Sequence, residues 1–190
     1  MKTVVFITGT NCVGKSTVAW ALINRFGGIG EEADCFTVCN DRRFGLVGRY
    51  DGKKYGGVDR LTNEKGSSCT SRLSEAVGLA LDTCDVVLCE GSYMDTFGMN
   101  LTNALFLGDK ALIVSLYAPP LVLYRRLKER SDGKHGVVKR NFERVFAKQR
   151  RAMSAAQKYQ SIGVKVMQFD TSKTTAEKIL ENIIDYSLTK

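Results

Sequence analysis

The residues with the clearest chemistry in this chain lie near its start, at positions 9–17. They read Gly-Thr-Asn-Cys-Val-Gly-Lys-Ser-Thr and match the phosphate-binding loop pattern G-x-x-x-x-G-K-S/T. Glycines let backbone N–H groups turn inward around phosphate oxygens, and the helix that follows adds the positive end of its dipole. Lys15 is expected to reach the β- and γ-phosphates of a nucleotide, and Ser16 to bind Mg²⁺ through its hydroxyl. The residues predicted to bind the nucleotide are Gly9, Asn11, Cys12, Val13, Gly14, Lys15, Ser16 and Thr17.

Three acids are candidates for a general base. Asp41 follows an apolar run at 35–39 that is predicted to be a strand, and ligands of open parallel sheets sit beyond the carboxyl ends of strands. Glu90 ends a second apolar run, 85–90, where an acid commonly holds Mg²⁺ through water or touches substrate. Asp59 lies between these positions. We take Asp41 as the first candidate, because an acid there could accept a proton from a substrate hydroxyl, and Asp59 and Glu90 remain open.

The stretch 44–61 contains many glycines and is predicted to be neither a helix nor a central strand. Basic and aromatic side chains alternate within and just before it, a mixture that suits phosphate contacts and base stacking. Long irregular insertions in small domains usually have a function. The predicted substrate-binding residues are Arg43, Arg49, Tyr50, Tyr55, Asp59, Arg60 and Glu90.

The positive charge of the chain is concentrated in one segment. The net charge is +8, and residues 124–151 contain eleven Lys and Arg against three acids, which accounts for the whole excess. Two basic helices are predicted here, at 120–130 and 139–159, joined by a turn that contains glycine. Such a pair suits a mobile lid that closes over a phosphoryl group, and the charge favours a polyanionic ligand.

The remaining patterns predict an α/β domain that occupies residues 1–190. Apolar runs predict strands at 2–8, 35–39, 85–90, 111–117 and 164–169, and amphipathic stretches between and after them predict helices, including those at 15–26, 71–82 and 100–107. No apolar run is long enough to span a membrane. Six cysteines without a C-x-x-C pair and a single histidine argue against zinc and favour a reduced, cytoplasmic location.

With these features placed, the whole chain resembles the P-loop nucleoside and nucleotide kinase family. The resemblance implies a three-layer α/β fold with a five-stranded parallel sheet, a helical basic lid at about 125–151, and the cofactors ATP and Mg²⁺. It implies that the acid after the second strand often serves as base, here Asp41. Arg125, Arg126 and Arg130 resemble the arginines at the start of the family's lid, and Asp170-Thr-Ser resembles the loop that borders the nucleotide base. Arg126 and Arg130 are therefore expected to be catalytic, and Arg125 to contact the nucleotide.

Three short motifs are similar to a narrower group of small, phage-encoded P-loop kinases. They are Gly48-Arg-Tyr, the run from Tyr55 to Leu61, and Cys89-Glu-Gly91. Some members of that group phosphorylate 5-hydroxymethyluracil in DNA. The resemblance therefore implies an acceptor hydroxyl on DNA or a nucleotide, first of all the hydroxymethyl group of 5-hydroxymethyluracil in phage DNA, and the host cytoplasm as the location. A kinase for free nucleotides, nucleosides or other small molecules is the alternative. A GTP switch is a third reading, since Asp95-Thr-Phe-Gly98 fits a loose D-x-x-G, but the chain has no Asn-Lys-x-Asp sequence to read guanine. No protein partner is evident.

Overall fold

The computed structural model describes residues 1–50, 57–62, 69–91, 93–131 and 135–189, without the side chains of 60, 62, 69–71, 135–137, 139 and 140. The strands are β1 (Thr3–Thr8), β2 (Ile29–Glu32), β3 (Phe36–Cys39), β4 (Phe44–Val47), β5 (Val86–Glu90), β6 (Lys110–Tyr117) and β7 (Lys165–Asp170). The helices are α1 (Lys15–Arg25), α2 (Cys69–Thr83), α3 (Met99–Leu105), α4 (Pro120–Arg130), α5 (His135–Ser161) and α6 (Ala176–Leu188), and a 3₁₀ turn covers Val58–Thr62. Among these described helices, none is long and apolar enough to cross a bilayer.

Within the described ranges the strands form one mixed sheet of seven, in the order β2-β3-β4-β5-β1-β6-β7. Five neighbours, from β4 to β7, are parallel, and β3 and β2 extend the sheet through antiparallel pairs. The predicted sheet of five strands, all parallel, is therefore wrong in strand number and in strand direction at one side. The central strand β1 is buried along all six residues, as expected for a parallel strand covered on both faces.

The correction at that side concerns β3 and β4. The predicted second strand is present as β3, but it runs antiparallel to β4. The strand that lies parallel to β5 is β4, and it comes from the glycine-rich stretch that was predicted to be irregular. Gly45 explains the error, because a Cβ at this position would lie only 2.8 Å from the Sγ atom of Cys84. The glycine therefore allows close packing of a fully buried strand.

Helices cover both faces of the sheet, which confirms the predicted three layers. Alternate β1 side chains point to opposite faces, so Val5 and Ile7 pack in one cluster with residues of α1, α4 and α6. Val4 and Phe6 pack in the other cluster with residues of α2, α3 and the end of α5. The carboxyl ends of the parallel strands consequently meet at one edge, where the loop after β1 lies.

Three hydrogen bonds attach the middle of α5 to this edge. The Thr10 hydroxyl donates to the carbonyl of Val145 at 2.7 Å. The Gln149 side chain accepts from the backbone N–H of Ala118 and donates to its carbonyl, both at 3.0 Å. Because these groups are buried, they fix the register of α5 against β6 and the phosphate-binding loop. These contacts hold the middle of α5 in place, so the described residues do not show the predicted lid over residues 125–151.

Candidate phosphate-binding site

The phosphate-binding loop joins β1 to α1 and has the backbone that its glycines predict. Gly9 and Gly14 have positive φ angles of 134° and 91°, which L side chains rarely adopt. A Cβ at Gly9 would also lie 2.5 Å from the carbonyl oxygen of Leu116. Cys12 is the non-glycine residue of the loop with a positive φ, 65°. The loop therefore has a fixed shape that ends where α1 begins at Lys15.

Lys15 is buried, and its ammonium lies inside the loop. Its Nζ donates to the carbonyl oxygens of Gly9 at 2.8 Å and of Thr10 at 3.0 Å. Burial lowers the pKa of Lys15, the nearby carboxylate of Glu90 raises it in part, and the positive charge of Lys148 lowers it again. A cation that is already desolvated interacts strongly with an anion that enters the site.

Glu90 lies beside the loop because β5 is the parallel neighbour of β1, with Glu90 opposite Ile7 in the register. The Ser16 hydroxyl donates to Glu90 Oε1 at 3.2 Å, and the Tyr50 hydroxyl donates to the same oxygen at 3.3 Å. Burial is the main reason that the pKa of Glu90 is raised, and the charge of Lys15 opposes that shift. Ser16 and Glu90 thus place two oxygen donors together, the ligand type that Mg²⁺ prefers.

Asp59 reaches the same place through a backbone that requires glycine. Gly57 has a φ of 68°, and a Cβ there would lie 2.3 Å from the carbonyl oxygen of Glu90. The chain can therefore pass directly over the end of β5. On the following turn, Asp59 Oδ1 lies 2.9 Å from the position that a Cβ of Gly91 would occupy. Two carboxylates, those of Asp59 and Glu90, consequently border the phosphate-binding loop.

A cavity of about 1100 Å³ opens over the loop and contains both carboxylates in its lining. Its opposite wall is cationic, with side chains from α4 and α5. Arg126 donates to the carbonyl of Cys12 at 3.2 Å and to the hydroxyl and carbonyl of Thr171 at 2.9 and 2.8 Å. This guanidinium therefore joins the phosphate-binding loop to the loop after β7. The cationic side chains of the wall are Arg126, Arg130, Arg144, Lys148 and Arg151.

Most of the predicted nucleotide-binding residues line this cavity, together with Arg126, Arg130, Asp59 and Glu90. Gly9 contributes the carbonyl that accepts from Lys15. Tyr50 is buried and contacts Glu90 rather than open solvent. Tyr55 and the side chain of Arg60 lie outside the described residues.

Asp41 and Arg43 lie at the wrong edge of the sheet for the roles predicted for them. Because β3 is antiparallel to β4, its carboxyl end lies at the amino ends of the parallel strands. There the backbone carbonyl of Arg43 accepts hydrogen bonds from the N–H groups of Asp85 and Val86. Glu90 is one strand length away, roughly 15 Å. The Asp41 carboxylate instead pairs with the Arg43 guanidinium at 2.7 Å. That hydrogen-bonded pairing lowers the pKa of Asp41.

Two further predicted residues lie outside the lining of the cavity. Arg49 pairs with Asp34 at 2.9 Å. Arg125 is exposed and lies 3.9 Å from Glu129 on the same helix. Arg125 therefore does not line the cavity, whereas Arg126 beside it does.

Sequence reasoning missed the individual cations of α5. Arg144, Lys148 and Arg151 follow the spacing i, i+4, i+7, which places them on one face of a helix. The sequence shows that the segment is positively charged, but it does not show which cations face the cavity. Asp95, considered only as part of a loose D-x-x-G, lies 3.9 Å from Lys148 and 3.8 Å from Arg151.

The fold and the site together define the chain as a domain with a P-loop kinase-like fold. A family model described as an AAA domain matches residues 5–145, and the chain belongs to this family. A comparison with curated protein sequences gives no significant match.

Three solved structures, two of them named as kinases, share this fold over nearly their whole length. The YorR protein of Bacillus subtilis, in complex with phosphorylated GDP, has a TM-score of 0.55 at 18% identity and covers 97% of this chain and 95% of its own. A sugar kinase from Janibacter sp. HTCC2649 has a TM-score of 0.52 at 11% identity, with 98% and 94% covered. Shikimate kinase from Bacteroides thetaiotaomicron has a TM-score of 0.51 at 15% identity, with 97% of both chains covered. At these identities the likeness concerns the fold.

Proposed function

We propose that this chain is an ATP- and Mg²⁺-dependent kinase that transfers the γ-phosphoryl group to a hydroxyl of a nucleotide or another small acceptor. The observation that carries the proposal is the meeting of Lys15, Ser16, Asp59 and Glu90 in one cavity whose other wall is cationic. A phosphate-binding loop alone would suit any nucleotide-binding protein. Carboxylates beside the loop and cations opposite it are what phosphoryl transfer requires.

Each side chain has a role that follows from its position. Lys15 and the loop amides bind the β- and γ-phosphates, and the cations of α4 and α5 stabilise the charge on the transferring group. Ser16 and Glu90 would hold Mg²⁺, which neutralises phosphate charge when it is bound. Thr171, Thr174 and Thr175 after β7 line the same cavity, and the nucleoside would lie against them.

Asp59 is the proposed general base. It follows β4, the strand that lies parallel to β5, so it occupies the position that the kinase resemblance assigned to Asp41. In the transfer step the acceptor oxygen forms a bond to the γ-phosphorus, the bond from that phosphorus to the β,γ-bridging oxygen breaks, and ADP leaves. The acceptor proton passes to the Asp59 carboxylate, and Glu90 with Ser16 would hold Mg²⁺.

A nucleotide acceptor agrees with the shape and charge of the site. The cavity is large enough for two ligands of nucleotide size, and its wall carries more cations than a triphosphate needs. The YorR structure contains phosphorylated GDP, so a protein of this fold binds a guanine nucleotide. The same charge makes a neutral acceptor the weaker choice. We place this protein in the cytoplasm.

5-Hydroxymethyluracil in DNA is the second candidate acceptor. Besides the inward cations, the segment carries exposed cations that do not line the cavity, among them Arg125, Lys128 and Arg150. These could contact the phosphates of a strand. A base in a duplex would have to be extruded to reach Asp59. A switch protein without catalysis is less favoured, because it would not need two carboxylates at the loop.

The test is transfer from γ-labelled ATP to a panel of nucleoside monophosphates, nucleosides, small alcohols and DNA containing 5-hydroxymethyluracil. Asp59→Asn is expected to lower kcat by about 10²–10⁴, the usual loss for a general base. The matched variant Asp41→Asn should leave kcat near wild type, because Asp41 lies at the opposite edge. Absence of transfer to every acceptor would refute the kinase, and the reverse ranking of the two variants would restore Asp41 as base.

A further inference from the structure

A buried carboxylate outside the mechanism described so far lies in the loop between β5 and α3. Asp95 has a side chain that is 5% exposed, and its Oδ2 atom is buried without a hydrogen-bond partner. Buried charges are normally paired and hydrogen-bonded, because desolvation is costly. A half-satisfied carboxylate five residues after Glu90 therefore needs an explanation.

Two cations of α5 face this carboxylate at a distance longer than a hydrogen bond. Lys148 Nζ lies 3.9 Å from Asp95 Oδ2, and an Arg151 nitrogen lies 3.8 Å from the same atom. The Lys148 side chain is 17% exposed, so its attraction to the buried carboxylate is strong, whereas the Arg151 side chain is 67% exposed and its attraction is weakened by water. The separation still leaves the N–H groups without a short bond to the carboxylate. Both cations are thus held near Asp95 without being saturated by it.

The same two cations line the cavity over the phosphate-binding loop. Lys148 is close enough to Lys15 for its charge to act on that residue, and so is Asp95. In an empty site the ammonium groups of Lys15 and Lys148 repel each other. The Asp95 carboxylate, which does not line the cavity, offsets that repulsion.

The loop that carries Asp95 is attached to α5 at a second point. The Phe97 ring contacts the Tyr159 ring edge to face, with centroids 4.9 Å apart. On the other side of Lys148, the side chain of Gln149 holds α5 to Ala118. The distance between Asp95 and Lys148 is therefore set by packed elements and not by two free side chains.

We propose that Asp95 is a positioning residue, which holds Lys148 and Arg151 against the phosphate-binding loop so that their N–H groups, which make no short bond to Asp95, meet the transferring phosphoryl group. The proposal rests on the kinase function proposed above. It assigns the Asp95-Thr-Phe-Gly98 sequence an electrostatic role toward α5, whereas the carboxylate that bonds Ser16 is that of Glu90.

The experiment is a double-mutant cycle in the full chain, with Asp95→Asn, Lys148→Met and the double variant. Asp95→Asn is expected to lower kcat by about tenfold to a hundredfold, the cost of a misplaced catalytic cation, with a smaller, about threefold, rise in the KM for ATP. In the Lys148→Met background the same change should cost less than about twofold, since Asp95 acts through Lys148. Asp82→Asn, which removes an exposed acid on α2, is the charge-matched control and should keep wild-type kinetics.

An undiminished loss from Asp95→Asn in the Lys148→Met background would overturn the proposal, as would wild-type turnover of Asp95→Asn itself. Melting temperatures identify a variant that has lost its fold, and Asp95→Ser then repeats the comparison with a smaller neutral side chain.

Calorimetric ATP binding separates failure of this inference from failure of the kinase function. If wild type binds ATP but transfers nothing, Asp95→Asn should still weaken ATP binding by about threefold when Lys148 is present, and by less than about 1.5-fold when it is absent. Equal weakening in both backgrounds would refute the positioning role.

Discussion

Lys15 is positioned before its ligand arrives. Its buried ammonium bonds two carbonyls of the loop, which keeps the charge at the place where phosphate would bind. Pre-placed charge of this kind stabilises a transition state without reorganisation. The residue is less exposed than its place at the start of a helix predicts, because the loop closes over it.

Lys15→Met should therefore retain the apolar stem and the fold while removing the charge. We expect kcat to fall by about 10²–10³, the usual loss for one preorganised electrostatic contact, with a melting temperature close to wild type. Lys165→Met, at the exposed start of β7 and the opposite edge of the sheet, is the matched control. Near-normal turnover of Lys15→Met would contradict the proposed mechanism.

Cysteine reactivity offers a second test at the residue scale. Burial is the main reason that the pKa of Cys39 rises to about 12 and that of Cys84 to about 11, so both stay protonated and unreactive at pH 8. Cys12 is partly exposed in the phosphate-binding loop and lines the cavity. Iodoacetamide should label Cys12 and spare Cys39 and Cys84 in the native protein, as read by peptide mass spectrometry.

ATP should protect Cys12 in the same experiment. At about ten times its Kd, ATP is expected to slow the labelling of Cys12 about tenfold, because labelling then requires the empty site. Denatured protein, in which every cysteine reacts, provides the control. Labelling of Cys12 at an unchanged rate with saturating ATP would place the nucleotide elsewhere.

Lys15, Ser16 and Glu90 lie together in the structure, as the sequence predicts. Lys15 and Ser16 belong to one continuous motif, and Glu90 follows an apolar strand that must be central, so their neighbourhood follows from few assumptions. Asp41 failed because its position depends on the direction of β3, and the apolar composition of a strand carries no direction. Lys148 and Arg151 needed the rotation of α5 about its axis, which only its packing defines.

At the scale of elements, β4 is the strand that leads to Asp59, the proposed base. It leads through Gly48 and Gly57 to Asp59, and a Cβ at Gly48 would lie within 1.9 Å of the Gly57 carbonyl oxygen. Strong patterns such as those of β1, β6 and α4 identified their elements to within a residue or two. β4 was missed because glycine lowers strand propensity, whereas the close approach of Cys84 makes glycine necessary there.

Gly45→Ala should test that packing. The new Cβ would meet Cys84 Sγ at 2.8 Å, and we expect a loss of about 1–3 kcal/mol in the free energy of unfolding, as for other overpacked cores. Gly78→Ala is the control, since a Cβ there meets nothing within 4 Å in the middle of α2, and it should stabilise by about 0.5–1 kcal/mol.

Denaturant melts of Gly45→Ala, made in wild type and in a Cys84→Ala background, compare the cost of the new Cβ with and without the Sγ atom. Because Cys84→Ala removes the Sγ atom, Gly45→Ala should cost less in that background than in wild type. An equal cost in both backgrounds would mean that the contact with Cys84 Sγ is not the reason that this position requires glycine.

At the scale of the whole molecule, the positive charge is divided between two surfaces. Arg130, Arg144 and Lys148 line the cavity, whereas Arg125 and Lys128 are exposed outside it. The sequence gives the net charge of +8, but it does not show which surface carries the cations. A nucleotide acceptor needs the inward cations alone, while a DNA acceptor would also use the outward ones.

Reversal of the outward charge therefore decides between the two acceptors. We expect Arg125→Glu with Lys128→Glu and Arg150→Glu to leave the KM for ATP and for a nucleoside monophosphate within about twofold of wild type, because none of the three lines the cavity. Wild type should bind a short oligonucleotide weakly at physiological salt, by fluorescence anisotropy. Tight binding that falls with salt along a log–log slope of roughly −0.7 to −0.9 per phosphate contacted, and that disappears in the triple variant, would instead favour DNA. An inward reversal, Arg144→Glu, serves as the positive control, since it should raise the KM for a nucleotide whichever acceptor is native.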